Sequence, residues 1–176
     1  MKTVFFDIDT QLDFLFPAGA LYVAGAEQIA PQLVALTNFA MRNGIPILST
    51  LDTHLENDPE FKVWKPHCVA GTHGWQKYGP TVVGQTLFQK NTIDFFEDEE
   101  LRRLLEEFAA ERYVVYGLVT EYCVRAAILG LLRRKVQVEL VTDATKSLDP
   151  AKERDVLKQF TERGGRLVEV RDIVTA

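Results

Sequence analysis

The sequence predicts a three-layer α/β/α domain built on a mainly parallel sheet of six strands, and two observations lead to this prediction. Short apolar runs rich in β-branched and aromatic residues recur along the chain, and amphipathic helical patterns separate most of them. Strands without a polar face are typical of a parallel sheet that helices cover on both sides. The length of 176 residues fits one domain, so we expect residues 1–176 to form a single unit.

Five apolar runs predict buried strands, and a sixth, weaker run completes the sheet. In chain order the five are TVFFDI (3–8), IPILST (45–50), RYVVYGLV (112–119), VQVELV (136–141) and RLVEV (166–170), and the weaker one is GQTLFQK (84–90). Because strands alternate with helices, we expect parallel neighbours joined by right-handed crossovers.

Helices are predicted from apolar residues that recur with a period near 3.6. The residues that carry these stripes are Ile29, Leu33, Leu36 and Ala40, then Leu101, Leu104, Leu105 and Phe108, then Ala127, Ile128, Leu131 and Leu132. A further helix is marked by its ends, since Asp149-Pro150 is a typical N-cap with a first-turn proline and Gly164-Gly165 is a typical stop.

Composition and charge exclude several classes of protein. The formal charge of −5 and the pI near 5.3 argue against a nucleic-acid or membrane-surface partner, because both need clustered cations. No run of apolar residues is long enough to span a membrane, and two aspartates within the first ten residues do not fit a cleavable signal peptide. With two cysteines in the whole chain, we expect a reduced, cytoplasmic protein rather than a disulfide scaffold.

The segment 52–85 breaks the alternation of strands and helices. It is polar, is punctuated by Gly and Pro, and holds all three histidines of the chain. A long loop in a compact domain is usually functional or disordered, and the aromatic residues in this one favour function. In parallel sheets ligands bind beyond the carboxyl ends of the strands, so the polar residues there are the first candidates for a site.

The first of these strand ends, DIDTQLDF (7–14), suggests a phosphatase as one alternative. In haloacid dehalogenase-type phosphatases an Asp nucleophile and an Asp acid are spaced as Asp7 and Asp9 are here. That signature requires a small residue after the second Asp, where this chain has Thr10 and Gln11, and a late magnesium-binding carboxylate pair that the chain imitates only loosely. The phosphatase is therefore a remote alternative.

A second strand end, DTH at 52–54, suggests a metal site. Asp52 and His54 are two residues apart, so an extended backbone points both side chains to one side. Glu60 and His67 come within reach if the loop folds back, and this mixed donor set suits zinc or another first-row divalent ion. The alternative is that these are ordinary polar loop residues.

A third strand end places Cys123 where a strand meets a helix. If Thr120 is the N-cap, Cys123 lies in the first helical turn, where free backbone N–H groups favour a thiolate and can stabilise an oxyanion. The alternative is a buried, inert cysteine. Lys90 closes the weaker strand and by itself indicates nothing more than a strand end.

Four motifs taken together resemble the isochorismatase-like cysteine hydrolases, and within them the nicotinamidases. IDTQLDF (8–14) is similar to the opening motif VDxQNDF, and DTH (52–54) to the metal-binding Asp-x-His. WKPHCVAGT (64–72) resembles WPPHCVxGT, and GLVTEYCVRAA (117–127) resembles the nucleophile motif GxxTDxCVxxT. The motifs occur in order over nearly the whole chain, so the resemblance implies the isochorismatase-like hydrolase fold and a cysteine hydrolase.

The resemblance also implies roles for the catalytic residues. Asp9 would be the general base, Lys90 would hold the base and nucleophile in register, and Cys123 would attack an amide carbonyl. The backbone N–H groups of Val119 and Cys123 would form the oxyanion hole, with a cis peptide bond between Leu118 and Val119. Of the remaining acids in the first motif, Asp7 would be structural, and Asp13 a loop cap or a group behind the site.

A metal and an aromatic pocket follow from the same resemblance. Asp52, His54 and His67 match the metal ligands, Glu60 falls where some members have a fourth, and Zn, Fe and Mn all suit such donors. Zinc is our first expectation. Phe14 and Trp64 match pocket aromatics, and Tyr122 is expected to border the pocket for the ring or the leaving group.

The substrate expected from this pattern is nicotinamide or a close heteroaromatic amide, cleaved to the acid and ammonia. Leu12, Lys65 and Glu121-Tyr122 depart from the family pattern. An alternative therefore keeps the same machinery for another small carbamoyl or ureido amide, with a structural metal. Related proteins commonly self-associate, so a homo-oligomer is expected as well.

Overall fold

A computed structural model describes residues 1–175 of the chain. Its sheet has six strands in the order β3-β2-β1-β4-β5-β6, and every neighbouring pair is parallel. The strands are β1 (Thr3–Ile8), β2 (Ile47–Asp52), β3 (Thr86–Lys90), β4 (Arg112–Leu118), β5 (Gln137–Lys146) and β6 (Arg166–Val168). The predicted fold class, including the weaker sixth strand, is confirmed.

The helices are α1 (Leu12–Leu15), α2 (Ala30–Arg42), α3 (Glu99–Phe108), α4 (Arg125–Arg133), α5 (Pro150–Glu162) and α6 (Val170–Val174). The start of α5 is as predicted, since the Asp149 side chain accepts from the N–H groups of Ala151 and Lys152. Within residues 1–175 no helix has the length and apolarity needed to cross a bilayer.

Two apolar clusters, one on each face of the sheet, form the core. In β1, Phe5 packs on the α2 and α6 side, whereas Phe6 packs on the side of α3, α4 and α5. In β4, Val114 and Val115 divide in the same way. Because both faces of these strands are buried, their sequences are continuously apolar rather than alternating.

Two strand boundaries differ from the prediction in a way that matters for the site. The second strand begins at Ile47 and runs through Asp52, two residues beyond the predicted end. The fifth strand continues to Lys146, where the prediction ends at 141. In both cases polar residues near the end of the strand still pair in the sheet, which local apolarity does not reveal.

The strand order reverses between β1 and β4. After β1 the chain adds β2 and β3 on one side of the sheet, and after β4 it adds β5 and β6 on the other side. In sheets with this order the crevice beyond the carboxyl ends at that point is where ligands bind. Asp9 follows β1 and Cys123 follows β4. The topology therefore brings two of the predicted site residues to the same crevice.

Candidate active site

Cys123 lies in a π-helical turn, Thr120–Val124, that follows β4. The Val119 carbonyl accepts hydrogen bonds from the N–H groups of Tyr122 (3.0 Å) and Val124 (3.2 Å). The peptide bond between Leu118 and Val119 is cis, as the resemblance implies. Thr120 is not the cap of a regular helix, since α4 begins only at Arg125. The predicted position of Cys123 in a first α-helical turn is corrected accordingly.

Gly117 lets the end of β4 approach the end of β1. Its φ is +117°, a conformation that residues with a side chain rarely adopt, and a Cβ there would lie 2.1 Å from the Ile8 carbonyl oxygen. This close approach places the cysteine turn beside the residue that follows Ile8, Asp9.

Lys90 is the centre of the site. Its ammonium nitrogen lies 2.8 Å from Oδ2 of Asp9, 3.1 Å from Oδ1 of Asp52 and 3.3 Å from the sulfur of Cys123. Its side chain is only 1% exposed. One buried cation thus contacts all three side chains at once.

Asp9 is fully buried and has a backbone φ of +48°, which takes it out of the extended conformation of β1. Thr50 donates its hydroxyl to Oδ1 of Asp9 at 2.6 Å, and the Asp9 N–H donates to the same hydroxyl oxygen at 3.1 Å. Burial raises the pKa of Asp9, and the positive charge of Lys90 offsets part of that rise. The result is a buried carboxylate more basic than an ordinary aspartate.

The protonation states of Cys123 and Lys90 follow from the same opposition between burial and neighbouring charge. Burial raises the pKa of the Cys123 thiol well above its usual value, and Lys90 opposes this only in part. Burial alone would lower the pKa of Lys90, but Asp9 and Cys123 hold it well above its ordinary range. At neutral pH the resting site therefore holds a thiol and an ammonium group.

Asp52, His54 and His67 form a compact group of metal-binding type. Nε2 of His54 lies 3.0 Å from Oδ2 of Asp52, and Nε2 of His67 lies 3.3 Å from the same oxygen. Nδ1 of His67 lies 2.7 Å from the Lys65 carbonyl oxygen, which leaves its Nε2 free to act as a ligand. Together the three residues present donor atoms within 4.8 Å of one another.

The electrostatics of this group fit a cation. Burial disfavours charge on His54, yet Asp52 beside it raises the pKa of the imidazole to about 9. Burial would raise the pKa of Asp52, but Lys90 and the imidazoles bring it below its usual range. Burial and Asp52 together raise the pKa of Glu60. A proton on His54 balances the surrounding acids, and a divalent cation would do the same.

Glu60 and the predicted aromatics lie around one cavity. Phe14, Trp64 and Tyr122 line it together with Cys123, Asp52, Glu60 and His67. The Trp64 and Tyr122 rings meet edge to face with centroids 5.4 Å apart, and the Phe14 and His67 centroids are 5.5 Å apart. A cavity lined by aromatic rings and a few polar side chains is typical of a small-molecule site.

Sequence reasoning missed the apolar half of the cavity wall. Leu21, Ile93 and Leu148 line it, although they are far apart in the sequence. Nothing distinguishes these residues from other apolar loop residues in the sequence. Val119, predicted as an oxyanion-hole residue, lies in the same wall.

Two further side chains of the first motif hold the site in place, and sequence reasoning missed the first of them. The Gln11 side chain brackets the Asp52 backbone, since its Nε2 donates to the Asp52 carbonyl and its Oε1 accepts from the Asp52 N–H, both at 2.8 Å. Asp13 accepts from the N–H groups of Cys68 (2.7 Å) and Ala20 (2.8 Å), so it is the loop cap that was expected. The position of Gln11 within the first motif was the available signal.

Asp7 does not face the cavity. It is buried, forms an ion pair with Lys77 and accepts a hydrogen bond of 2.9 Å from the Thr10 hydroxyl. A carboxylate buried away from the cavity cannot reach a phosphate bound there, which removes the basis of the phosphatase alternative. The structural role expected for Asp7 agrees with this position.

A parallel α/β sheet with an Asp–Lys–Cys group at or beyond the carboxyl ends of β1, β3 and β4 fits a hydrolase of the α/β class. The comparison with protein families then gives a more specific assignment. The model of the Isochorismatase domain matches residues 3–172, and the chain belongs to the isochorismatase family. No curated protein matches the sequence.

Several solved structures superpose on nearly the whole chain. The pyrazinamidase of Pyrococcus horikoshii in complex with zinc has a TM-score of 0.89 at 29% identity, covering 96% of this chain and 99% of that one. The nicotinamidase/pyrazinamidase PncA of Bacillus subtilis has a TM-score of 0.88 at 26% identity, covering 96% and 100%. The N-carbamoylsarcosine amidase of Thermoplasma acidophilum, with a TM-score of 0.83 at 23% identity and 97% coverage of each chain, shares the fold.

Proposed function

We propose that this hydrolase is a metal-dependent amidase that converts nicotinamide, or a close heteroaromatic amide, into the acid and ammonia. The observation that carries the proposal is the position of Lys90, which contacts Asp9, Cys123 and Asp52 at once. A nucleophile and a metal-binding group therefore adjoin in one small cavity. An aromatic amide with a ring nitrogen would present its carbonyl carbon to the nucleophile and its lone pair to the metal.

Acylation uses Asp9 as the general base. Asp9 takes the thiol proton of Cys123, and the sulfur attacks the amide carbon. Lys90 stabilises the charge on both groups through its contacts of 2.8 and 3.3 Å. The backbone N–H groups of Val119 and Cys123 would hold the oxyanion. Asp9 then returns the proton to the leaving nitrogen, ammonia departs, and a thioester remains on Cys123.

Deacylation repeats the sequence with water. Asp9 removes a proton from the water and the oxygen attacks the thioester carbon. The carbon–sulfur bond then breaks, the Cys123 thiolate leaves, and the acid is released. The proton held by Asp9 returns to Cys123, so the enzyme is restored with one amide and one water consumed. The cavity shields the thioester behind the Trp64 and Tyr122 rings.

Asp52, His54 and His67 would hold the divalent ion, with zinc as the first choice because these donors suit it. When bound, the ion supplies a Lewis acid that accepts the lone pair of the ring nitrogen. Glu60 lies in the cavity wall beside this group. Phe14 packs against His67 and lines the cavity, so it would border the aromatic ring of the substrate.

The charge of the cavity favours a neutral aromatic substrate over an amide that carries a carboxylate. The described residues that line it include the acids Asp52 and Glu60 but neither lysine nor arginine. An N-carbamoyl amino acid would find no lysine or arginine in this lining to pair with its carboxylate, and the proposal already assigns the bound metal to the ring nitrogen. This argument ranks the carbamoyl alternative second.

The test is ammonia release from nicotinamide by the purified, zinc-loaded protein, with N-carbamoylglycine as the competing substrate. We expect turnover of nicotinamide that Cys123→Ala abolishes and Cys68→Ala preserves, since Cys68 lies outside the cavity. Chelation should remove the activity without unfolding the protein. Turnover of N-carbamoylglycine alone, unaffected by chelation, would replace this proposal with the second one.

A further inference from the structure

A short turn of 3-10 helix, Pro59–Lys62, packs against the metal-binding group through Phe61. Asp58 caps this turn, because its Oδ1 accepts the Glu60 N–H at 2.9 Å. The same turn delivers Glu60 to the cavity wall. Asp58 itself does not line the cavity.

The second carboxylate oxygen of Asp58 faces the far side of His54. Oδ2 of Asp58 lies 3.0 Å from Nδ1 of His54, while Nε2 of the same ring lies 3.0 Å from Asp52. The His54 side chain is fully buried, so no water competes for Nδ1. A proton on Nδ1, with the Asp58 carboxylate beside it, leaves a lone pair on Nε2, which is the form that binds a metal.

Phe61, in the same turn, covers both imidazoles. Its ring centroid is 5.3 Å from that of His54 and 5.8 Å from that of His67. The turn therefore fixes the His54 ring by a polar contact on one edge and by packing on its face. Both constraints come from residues 58–62, a segment that contains none of the three residues Asp52, His54 and His67.

We propose that Asp58 is a positioning residue that orients His54 and fixes its Nε2 as the metal-binding nitrogen. The inference rests on the metal dependence of the proposed function. Asp58 acts through His54 and, by capping the turn, through Glu60. Its loss weakens metal binding without removing any of the residues Asp52, His54 and His67.

The sharpest variant is Asp58→Asn, because asparagine caps a helical turn about as well as aspartate. An asparagine that caps Glu60 with its oxygen turns its NH₂ group toward His54. Nδ1 must then accept, the proton moves to Nε2, and the lone pair no longer faces Asp52. The variant therefore keeps the turn but moves the ring proton of His54 to the nitrogen that would bind the metal.

The matched control is Glu56→Gln, which removes one negative charge from an exposed position in the same loop. Zn²⁺ affinity of the full-length proteins is measured by competition with a chromogenic chelator. We expect Asp58→Asn to bind Zn²⁺ about 10- to 100-fold more weakly than the wild type. Glu56→Gln should bind like the wild type, and the far-UV circular dichroism of metal-free Asp58→Asn should match that of the wild type at 25 °C.

Histidine NMR of the zinc-loaded wild type provides a second measurement and should show the Nδ1 proton of His54. Unchanged affinity in Asp58→Asn, or an equal loss in Glu56→Gln, would overturn the inference and leave the metal site intact. Failure of the wild type to bind Zn²⁺ would instead overturn the metal dependence of the proposed function, and the inference with it. Amidase turnover, recorded separately, tests the reaction itself.

Discussion

Replacing Lys90 by methionine should be the most damaging single change in the site. The substitution keeps the volume of the side chain but leaves Asp9 and Asp52, at 2.8 and 3.1 Å from the lost ammonium, without their cation. Removing one partner of a buried ion pair costs roughly 3–5 kcal/mol of unfolding free energy. For a chain of this size that corresponds to a melting temperature lower by about 6–20 °C.

The assay is chemical denaturation of the metal-free protein, in a double-mutant cycle of Lys90→Met and Asp9→Asn. We expect the double variant to lose less unfolding free energy than the sum of the two single losses. The reason is that Asp9→Asn removes the buried charge that Lys90→Met leaves without a partner. The control is Lys158→Met, whose lysine is 75% exposed and pairs with Glu162 at 3.9 Å. It should change stability by less than about 0.5 kcal/mol.

The stability loss in Lys90→Met should also depend on pH in a defined direction. Without the lysine, the pKa of buried Asp9 rises further above its value in the unfolded chain. A folded state that binds the extra proton is favoured at low pH and loses that advantage as pH rises through the folded-state pKa. The loss of unfolding free energy in Lys90→Met should therefore become smaller as the pH is lowered. A variant as stable as the wild type, or a deficit independent of pH, would refute the charge balance described for the site.

Three further changes test the roles of single residues. Thr50→Val removes a hydrogen bond that holds the pKa of Asp9 down, so the acidic limb of the pH profile of kcat/KM should move to higher pH. An unmoved limb would mean that another group titrates. Glu121→Ala should raise KM more than it lowers kcat, because Glu121 accepts the N–H of Leu148 at 3.0 Å and so fixes the cavity wall. Trp64→Ala should likewise raise KM in steady-state assays, and an equal fall in kcat would place it in the chemical step instead.

The sequence predicts the fold well because the strands are buried on both faces. Phe5 and Phe6 are both core residues, so β1 gives an uninterrupted apolar signal, and the predicted span 3–8 coincides with Thr3–Ile8. The ends of β2 and β5 are less visible, since Asp52 and Lys146 pair in the sheet although they are polar. Tertiary pairing decides such boundaries.

Candidate site residues are predictable where a motif and a strand end coincide. Asp9, Lys90 and Cys123 follow or close their strands, and the structure brings all three together. Asp58 was missed, although Asp58-Pro59 is a typical start of a helical turn. Its contact with His54 depends on how the loop folds back, and that is a tertiary property.

The measurement that tests the central claim most directly is intact-mass spectrometry of the zinc-loaded protein quenched during turnover of nicotinamide. The account predicts an acyl adduct of the nicotinoyl group that maps to Cys123, disappears on hydrolysis and is absent from Cys123→Ala. Turnover without any adduct on Cys123, or with undiminished rate in Cys123→Ala, would contradict it.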